Sequence, residues 1–508
     1  MKITRRDFLK GSAAGGALVA SRFLYGELET LVAAPPGTAA APTEKWVPTT
    51  CWIGKQDCGI LARRINGRVV AFQGHPAHPR NRGTLCPKGV AQIMALYDPN
   101  RVKVPLIRTN EKGVPGKWRQ ASWDEALTLV GNKIKEVRAK DKRLLVWQKG
   151  RSKAKHFYDD AFVKASGATK LGHGAYCSDA GYRACEYTIG PHGVLHPDFR
   201  HTRYLLAWGW NITNAGGNKL CWITWPQQLI TAKERGMKVV AIDPRLLGAG
   251  PFADEWLPIR PATDLAFALA LCNVLIEQGT IDRDYLKKYA NAPFLVKKDG
   301  CFLRVDGKEQ VWNVKSSSAR PYDAKDVDPA LEGDFTVGGV KVRPAFQVFK
   351  EHEEIYWQDY TPLPTWRTPT MDGSPPEYDL YLISYKLIEF KQSRASQIPL
   401  LAELAPKQWL EINPKTAKAK GINDGDEVCV ESHNAVTGET RKVKVTARYR
   451  ESIRPDTVGM PHHYGEVARH PWTQGQGPMP NVLYFTGEGY VTNTNDQSFH
   501  VKVRVYKA

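Results

Sequence analysis

The sequence of 508 residues lacks features that mark several common protein classes. Lysine and arginine outnumber the acidic residues and give a net charge of +19, yet no long basic run occurs. We therefore expect no nucleic-acid partner, and we assign part of the charge to an anionic substrate or a phosphate-bearing cofactor. The nine cysteines lack the regular spacing of a small disulfide scaffold. Length and ordinary composition predict a globular protein of more than one domain.

The N-terminal region has the pattern of an export signal. The run TRRDFLK at residues 4–10 closely resembles a twin-arginine signal. The mildly apolar run of residues 11–24 is too short and too weak for a secure membrane span. Residues 33–42, rich in alanine and proline, are typical of a cleavage region and linker. We therefore exclude residues 1–44 from the fold and expect a folded protein exported to the periplasm.

One stretch contains three of the nine cysteines. Six residues separate Cys51 from Cys58, and twenty-seven separate Cys58 from Cys86. Between the last two, ILARRI and RVVAFQG are strand-like runs joined by Asn66-Gly67, a strong two-residue turn signal. A hairpin would bring Cys58 and Cys86 together, and converging thiolates indicate a metal or iron–sulfur site. A zinc site and three unrelated buried thiols remain alternatives.

Residues 144–275 alternate between apolar strand-like runs and helical patterns, which predicts an open parallel α/β sheet. The strands are LLVWQ, RYLLAWG and KVVAIDP. Ligands of such sheets bind beyond the carboxyl ends of the strands. Polar and small residues at those ends are therefore candidate nucleotide contacts: Gly150, Arg151, Asn211, Asp243 and Arg245. Each is a weak indication by itself, because Asp-Pro-Arg is often only a turn.

The C-terminal residues 378–508 have the pattern of a β-domain. The runs VCVESH, KVKVTAR and VKVRVYK alternate between apolar and polar residues, as half-buried strands do. Two polar segments, residues 391–397 and 494–499, show no simple hydrophobic periodicity. On pattern alone they could equally be solvated loops.

The cysteine segment resembles the N-terminal cluster segment of the molybdopterin oxidoreductases, the dimethyl-sulfoxide-reductase family. Cys51, Cys58, Cys86 and the Lys88-Gly89 pair fit the family pattern, whereas Gly54 stands where its second cysteine belongs. Three thiolates suffice for a [3Fe–4S] cluster. A [4Fe–4S] cluster would need a substitute ligand, for which Asp57 is the nearest oxygen candidate. Further similar motifs are WDEA at residues 123–126, Ala262-Thr263-Asp264, WLEINPKTA from residue 409 and GINDGDEV from residue 421.

The resemblance implies a bis-molybdopterin guanine dinucleotide cofactor with molybdenum or tungsten, next to an iron–sulfur cluster. Cys177 stands where cysteine-type members ligate this metal, and His173 is a candidate acid or base near it. Lys88 is expected to bridge the cluster and the pterin. The strand-end residues, together with Thr263 and Asp264, are the implied guanine-nucleotide contacts. The implied pterin contacts are Gln392, Ser393, Arg394 and Gln497.

The resemblance also implies a domain order. An iron–sulfur segment (45–105) precedes an α/β cofactor-binding domain (106–300), an irregular linker region (301–377) and a C-terminal six-stranded β-barrel of double-psi type (378–508). Longer family members carry a second α/β lobe after the equivalent of residue 360. Here the chain passes almost directly to the last domain, so one internal lobe is missing.

The implied activity is the oxidation or reduction of a small inorganic or organic molecule, such as a sulfur or arsenic oxyanion. The expected partners are this small-molecule substrate, a membrane quinone anchor and an iron–sulfur electron-transfer subunit. The alternative is a non-catalytic structural or electron-transfer subunit that kept the fold and lost the cofactor. Gly54 and the missing lobe favour that alternative, and Cys177 with the strand-end residues favours the enzyme.

The export signal gives the first testable prediction. Replacing Arg5 and Arg6 together with lysine should leave the precursor in the cytoplasm, because the twin-arginine route recognises the arginine pair. Immunoblotting of cytoplasmic and periplasmic fractions measures this. The same double replacement at Arg63 and Arg64 is the control, and an unchanged periplasmic yield of the signal variant would remove the export assignment.

Overall fold

The structure is a computed structural model, and it describes a large part of the chain. The described residues are 42–54, 57–114, 116–148, 156–171, 181, 184–185, 195, 197–213, 222–289, 294–296, 302–304, 309–313, 318–322, 335–337, 340–342, 364, 366–392, 394–465, 473, 475–487, 489–490 and 500–508. The chain divides into two compact units, Met1–Val47 with Arg63–Val70, and Pro48–Ala62 with Ala71–Ala508. In the smaller unit, Arg63 forms an ion pair with Glu44 at 3.0 Å.

The cysteine-bearing segment forms a three-stranded sheet in the order β1-β2-β3. Its strands are β1 (Glu44–Thr50), β2 (Gly59–Ile65) and β3 (Arg68–Gly74). Asn66 and Gly67, between β2 and β3, have φ angles of 50° and 85°. A two-residue hairpin turn requires this left-handed conformation, so the predicted hairpin is confirmed. Helix α1 (Pro87–Leu96) begins directly after Cys86, and β4 (Leu106–Arg108) then pairs with β5 (Trp118–Gln120).

The middle of the chain forms parallel sheets and helices. The strands are β6 (Val146–Gln148), β7 (Thr169–Leu171), β8 (Tyr204–Trp208), β9 (Lys238–Ile242) and β10 (Glu255–Leu257). The helices are α2 (Trp123–Lys140), α3 (His156–Ser166), α4 (Trp225–Glu234), α5 (Asp264–Glu277) and α6 (Arg283–Tyr289). β6 and β7 form a parallel pair, and β10-β9-β8 is a separate parallel sheet. The parallel pairing confirms the predicted α/β class, although the described strands form two sheets rather than one.

Short antiparallel strands follow α6, and all but the first lie in the region for which the sequence predicts an irregular linker. They are β11 (Phe294–Val296), β12 (Phe302–Arg304), β13 (Glu309–Asn313), β14 (Ser318–Tyr322), β15 (Phe335–Val337) and β16 (Val340–Val342). The first four form one sheet, and β15 pairs with β16.

The C-terminal region is a closed six-stranded barrel in the order β17-β21-β18-β20-β19-β22. Its strands are β17 (Leu380–Tyr385), β18 (Trp409–Ile412), β19 (Glu427–His433), β20 (Thr440–Tyr449), β21 (Thr457–Pro461) and β22 (Val501–Lys507), with helices α7 (Pro399–Leu404) and α8 (Pro414–Ala419) between strands. The inward side chains of each strand are buried in one apolar core, among them Leu382, Leu410, Val430 and Val503. This confirms the predicted β-domain and the alternation of β20 and β22, whereas successive residues of β19 are buried.

Two helices of the α/β region expose much apolar surface. In α2, Trp123 is 66% and Leu127 is 63% exposed. Helix α5 has the almost wholly apolar sequence DLAFALALCNVLIE, yet none of its described residues is buried and Ile276 is 57% exposed. Cys272, which the sequence places in an ordinary apolar helix, is therefore exposed. Within the described ranges, no helix combines the length and apolar character that crossing a bilayer requires.

The α/β region and the barrel are joined by a buried carboxylate. Glu411 of β18 is 0% exposed and accepts hydrogen bonds from the guanidinium groups of Arg245 and Arg450. Burial raises the pKa of Glu411, but the hydrogen bonds and charges of these arginines outweigh burial and hold the pKa below its usual value. Backbone hydrogen bonds from Leu246 to Ser452, at 2.8 Å, and from Arg454 to Pro244, at 3.0 Å, flank this contact. The loop after β9 is thereby fixed to the barrel.

We predict that Glu411→Gln destabilises the protein by about 3–5 kcal/mol, since it leaves buried guanidinium charge without its counter-charge. Urea unfolding followed by circular dichroism measures the change. Glu427→Gln, at an exposed ion pair with Lys444 of 3.4 Å, is the matched control and should cost less than about 1 kcal/mol. Equal destabilisation by both variants would contradict the importance of the buried ion pair.

Candidate functional site

The structure brings the three cysteines of the N-terminal segment into one region. The backbone N–H of Cys51 donates to the carbonyl of Cys58 at 2.9 Å, so these residues are neighbours across the start of the hairpin. Both are buried, and both belong to an apolar cluster that includes Phe390 of the C-terminal region. Cys86 is the residue that precedes helix α1, and it is half-buried.

A buried asparagine fixes the backbone between the cysteines. Asn81 is 0% exposed, and its side chain accepts from the N–H of Gly59 at 2.9 Å and donates to the carbonyls of Gly59 and Thr84 at 3.0 and 2.8 Å. The backbone also approaches itself closely, because a Cβ on Gly74 would lie 2.3 Å from the carbonyl oxygen of Gly83. These contacts hold the long connection to Cys86 against the start of the hairpin.

Lys88 lies between the cysteines and the C-terminal region. It is 5% exposed, and its amine donates a hydrogen bond to the carbonyl of Ile388. Burial lowers the pKa of Lys88, while the charges of Cys86, Glu389 and Cys51 oppose this shift. The electrostatic interactions place the Cys86 and Cys51 thiols near the same amine. The sequence-based expectation that Lys88 bridges two parts of the site therefore agrees with its contacts, and its role stays a prediction.

The spacing of possible ligands bears on the type of metal site. Within the part of the chain that the structure describes, no three His, Cys, Asp or Glu side chains are arranged closely enough to hold a single metal ion. The zinc and iron–sulfur alternatives both stay predictions. Gly54 is half-buried, and Asp57 is exposed with a left-handed φ of 52°.

The carboxyl ends of β8 and β9 lie at one edge of their parallel sheet, whereas β6 belongs to a separate parallel pair. After β9, Asp243 accepts a hydrogen bond from the backbone of Arg245 at 2.8 Å, and burial raises its pKa to about 6. The charge of Asp264 raises it further, so the two carboxylates lie near each other. Trp208, at the end of β8, donates to Asp264 at 2.7 Å.

Asn211 and Thr263 lie at the same strand ends. Asn211 follows β8, and a Cβ on Gly248 would lie 2.4 Å from its side-chain oxygen, so the loop after β9 packs directly against it. Thr263 directly precedes α5, and its hydroxyl donates to the carbonyl of Arg260 at 2.7 Å. The structure therefore places Asn211, Asp243, Thr263 and Asp264 in one neighbourhood. Their nucleotide contacts stay predictions.

Arg245 has a role that sequence reasoning missed. Its guanidinium pairs with Glu411 and stacks over the ring of Tyr385, 3.6 Å from the ring centre. Its described contacts are thus with the barrel, and the predicted contact of Arg245 with a nucleotide stays a prediction. No short-range signal could have revealed this partner, because 166 residues separate Arg245 from Glu411.

The segment after β17 forms a tight loop that contains two predicted pterin contacts. Lys391 and Arg394 exchange backbone hydrogen bonds of 3.1 and 2.9 Å, and Gln392 between them has a left-handed φ of 52°. Gln392 and Arg394 are exposed. Two histidines missed by sequence reasoning contact this loop. The His462 ring is 3.1 Å from the Gln392 side-chain oxygen, and the His463 ring forms a hydrogen bond with the Gln392 carbonyl. Their position directly after strand β21 was the available signal.

Several predicted site residues lie outside the described residues. These are Cys177 and His173, the predicted metal ligand and acid or base, and Gly150, Arg151, Ser393 and Gln497, the predicted cofactor contacts. Their assignments stay predictions.

Comparisons with protein families match almost the whole chain. The molybdopterin oxidoreductase model matches residues 101–501, and the molybdopterin oxidoreductase Fe4S4 domain model matches residues 44–98. The model of the twin-arginine translocation pathway signal sequence matches residues 2–21.

Individual relatives are similar over part of their length. A sulfite dehydrogenase subunit of Allochromatium vinosum is 30% identical over 63% of this chain and 34% of its own length. The thiosulfate reductase molybdopterin-containing subunit of Salmonella typhimurium is 30% identical over 57% of this chain and 37% of its own length. The arsenate respiratory reductase molybdopterin-containing subunit of Chrysiogenes arsenatis is 31% identical over 61% of this chain and 36% of its own length. The aligned part of the chain thus spans about a third of each of these relatives.

A solved structure has a similar fold. Acetylene hydratase from Pelobacter acetylenicus superposes with a TM-score of 0.62 at 14% identity, over 91% of this chain and 100% of that one. At this identity the similarity concerns the fold alone.

The three-cysteine arrangement gives a prediction about the iron centre. Because Gly54 offers no thiolate, we expect a [3Fe–4S] or a labile cluster, with a three-iron signal in electron paramagnetic resonance of the oxidised protein. Cys86→Ala should abolish the signal. Cys429→Ala, at a buried cysteine of the barrel, is the control and should preserve it. A stable four-iron signal that Asp57→Ala leaves unchanged would show that the ligand set is wrong.

Proposed function

The chain belongs to the molybdopterin oxidoreductase family, and on this premise we propose that it acts as a molybdopterin-dependent oxidoreductase of a small inorganic or organic acceptor. Relatives that it resembles are named for sulfite, thiosulfate and arsenate. A sulfur or arsenic oxyanion is the substrate class that we favour, since an anionic substrate suits a chain with a net charge of +19.

The observation that carries the proposal is the position of Lys88. Its amine lies near the thiols of Cys86 and Cys51 and donates to Ile388, at the start of the loop that contains Gln392. One buried cation thus contacts both the proposed cluster ligands and the proposed pterin loop. When bound, the molybdenum or tungsten cofactor supplies exchange of an oxygen or sulfur atom with substrate, and the cluster carries the electrons.

The proposed residue roles follow from this arrangement. Cys51, Cys58 and Cys86 hold the iron–sulfur cluster, and the burial of Cys51 and Cys58 among apolar side chains suits a cluster shielded from water. Cys177 ligates the molybdenum or tungsten, and His173 serves as an acid or base near it. Lys88 keeps a positive charge between the two groups.

The cofactor in this proposal is the bis-molybdopterin guanine dinucleotide. Its guanine nucleotide binds at the strand ends, where Asn211, Asp243, Thr263 and Asp264 lie together. The further proposed contacts there are Gly150, Arg151 and Arg245. The pterin binds against the barrel domain through Gln392, Ser393, Arg394 and Gln497. We assign this barrel to the double-psi type and retain the boundaries 45–105, 106–300, 301–377 and 378–508 for the four regions.

The twin-arginine signal directs the protein to the periplasm. That route carries folded proteins, so the cofactors can be inserted before export. The proposed partners are a membrane quinone anchor and an iron–sulfur subunit, which would receive or supply the electrons.

A second candidate function is a structural or electron-transfer subunit that lacks the cofactor. Gly54 at a cysteine position favours it, and so does the short connection between the α/β region and the barrel. The exposed apolar helix α5 is consistent with a missing lobe, because the helices of an open α/β sheet normally bury their apolar faces.

One experiment tests the proposed function and the missing lobe together. The protein purified from its own periplasm, with its partners, should contain molybdenum or tungsten, pterin and iron. The chain expressed alone with its cofactor-synthesis machinery should bind pterin weakly or not at all, because a nucleotide without its pocket loses hydrogen bonds and leaves apolar lining in water. Elemental analysis and pterin fluorescence, each expressed per chain, measure both samples.

The two possible failures are distinct. Near-stoichiometric, tightly held pterin in the isolated chain would contradict the need for a second polypeptide and leave the oxidoreductase function intact. A native complex with iron but with neither pterin nor molybdenum or tungsten would contradict the oxidoreductase function and favour the electron-transfer subunit. A Cys177→Ser variant of the native complex should lose reduction of thiosulfate or arsenate by an artificial electron donor.

A further inference from the structure

His463 contacts the proposed pterin loop through both nitrogens of its ring. Its Nε2 accepts a hydrogen bond from the backbone N–H of Leu387 at 2.9 Å, and its Nδ1 donates to the carbonyl of Gln392 at 2.6 Å. The ring is 0% exposed. One acceptor and one donor define a single neutral tautomer. Burial lowers the pKa of His463 to about 4, which agrees with a ring that stays neutral at physiological pH.

The loop that His463 holds is conformationally unfavourable. Gln392 and Ala395 have φ angles of 52° and 78°, in the left-handed region that side chains other than glycine rarely occupy. Such a conformation persists only where the surroundings fix it. His463 does so from outside the loop, because it ties Leu387 before the turn to Gln392 within it.

The backbone segment that His463 holds also binds Lys88. The N–H that His463 accepts belongs to Leu387, and the carbonyl that Lys88 binds belongs to the next residue, Ile388. The Lys88 amine in turn lies near the thiols of Cys86 and Cys51. A continuous series of contacts therefore runs from the end of β21, through His463 and two adjacent backbone groups, to the cysteine segment.

We propose that His463 is a positioning residue, which sets the place of the Lys88 amine beside the cysteine thiolates by fixing the backbone of residues 387–392. The inference rests on the proposed function in one respect, namely that the cysteines hold an iron–sulfur cluster. A cation near the thiolates stabilises the reduced cluster, because reduction adds negative charge. His463 thereby influences the reduction potential of the cluster without touching it.

The test compares two replacements of His463. His463→Phe fills the volume but removes the donor and the acceptor, whereas His463→Gln retains one of each in its amide. Redox titration followed by electron paramagnetic resonance should show a more negative cluster potential in His463→Phe and a potential close to that of the unmodified protein in His463→Gln. His433→Phe, at a barrel histidine whose ring is 3.3 Å from the Ser374 hydroxyl, is the matched control and should leave the potential unchanged.

A double-variant cycle asks whether the effect passes through Lys88. Lys88→Met should itself make the potential more negative, and adding His463→Phe to it should produce little further change. The proposal is overturned if His463→Phe shifts the cluster potential equally with and without Lys88. It is also overturned if His463→Phe leaves the potential unchanged. If His463→Phe does not fold, His463→Met, which also lacks a donor and a strong acceptor, replaces it with the same expectations.

Hydrogen exchange separates this inference from the proposed function. We expect the amide of Leu387 to exchange at least about tenfold faster in His463→Phe than in the unmodified protein or in His463→Gln, whether or not any cofactor is bound. Mass spectrometry of a peptide spanning residues 382–390 measures the rate. If the purified protein contains no cluster, the proposed function is contradicted, and the exchange rates still show whether His463 holds the backbone of Leu387. Unchanged exchange in His463→Phe would overturn the inference in either case.

Discussion

The arrangement of the site depends on one buried carboxylate, Glu411, and the two guanidinium groups that surround it. Removing a carboxylate from water costs several kcal/mol, and only well-placed counter-charges offset that cost. Arg450 supplies one counter-charge from within the barrel, whereas Arg245 supplies the other only while the loop after β9 lies against the barrel. This requirement fixes the strand ends of the α/β region beside Tyr385, where the loop toward Lys88 begins. The proposed nucleotide and pterin contacts thus share one framework.

A second buried charge gives this framework its chemical character. Lys88 sits within an apolar environment in which its ammonium group is poorly solvated, and burial lowers its pKa accordingly. The thiols of Cys86 and Cys51 act in the opposite direction and favour the charged form. The cation and the thiolates therefore stabilise each other. Such a mutual dependence suits a group that lies between two redox centres, because changes of charge on either side are felt strongly where water is excluded.

The sequence predicted the features that local pattern controls. Asn66-Gly67 identified the hairpin, and the alternation of apolar and polar residues identified β20 and β22 of the barrel. Contacts between distant segments were not predictable, since nothing near Arg245 in the sequence points to Glu411, and nothing near Leu387 points to His463. The exposure of α5 could not be predicted from its composition either, because an apolar helix is buried only if the chain supplies something to cover it.

Exposed apolar surface on α2 and α5 is what a partner in the proposed assembly would have to cover. Burial of apolar surface contributes roughly 25 cal/mol per Å², so covering a helix as apolar as α5 would stabilise the protein. The exposed faces of α2 and α5 belong to the region whose strand ends carry the proposed nucleotide contacts. In the proposed function, a second polypeptide that covers these helices would also supply the other half of the cofactor pocket. One partner would thus account for both the exposed apolar faces and the proposed need for a second half of that pocket.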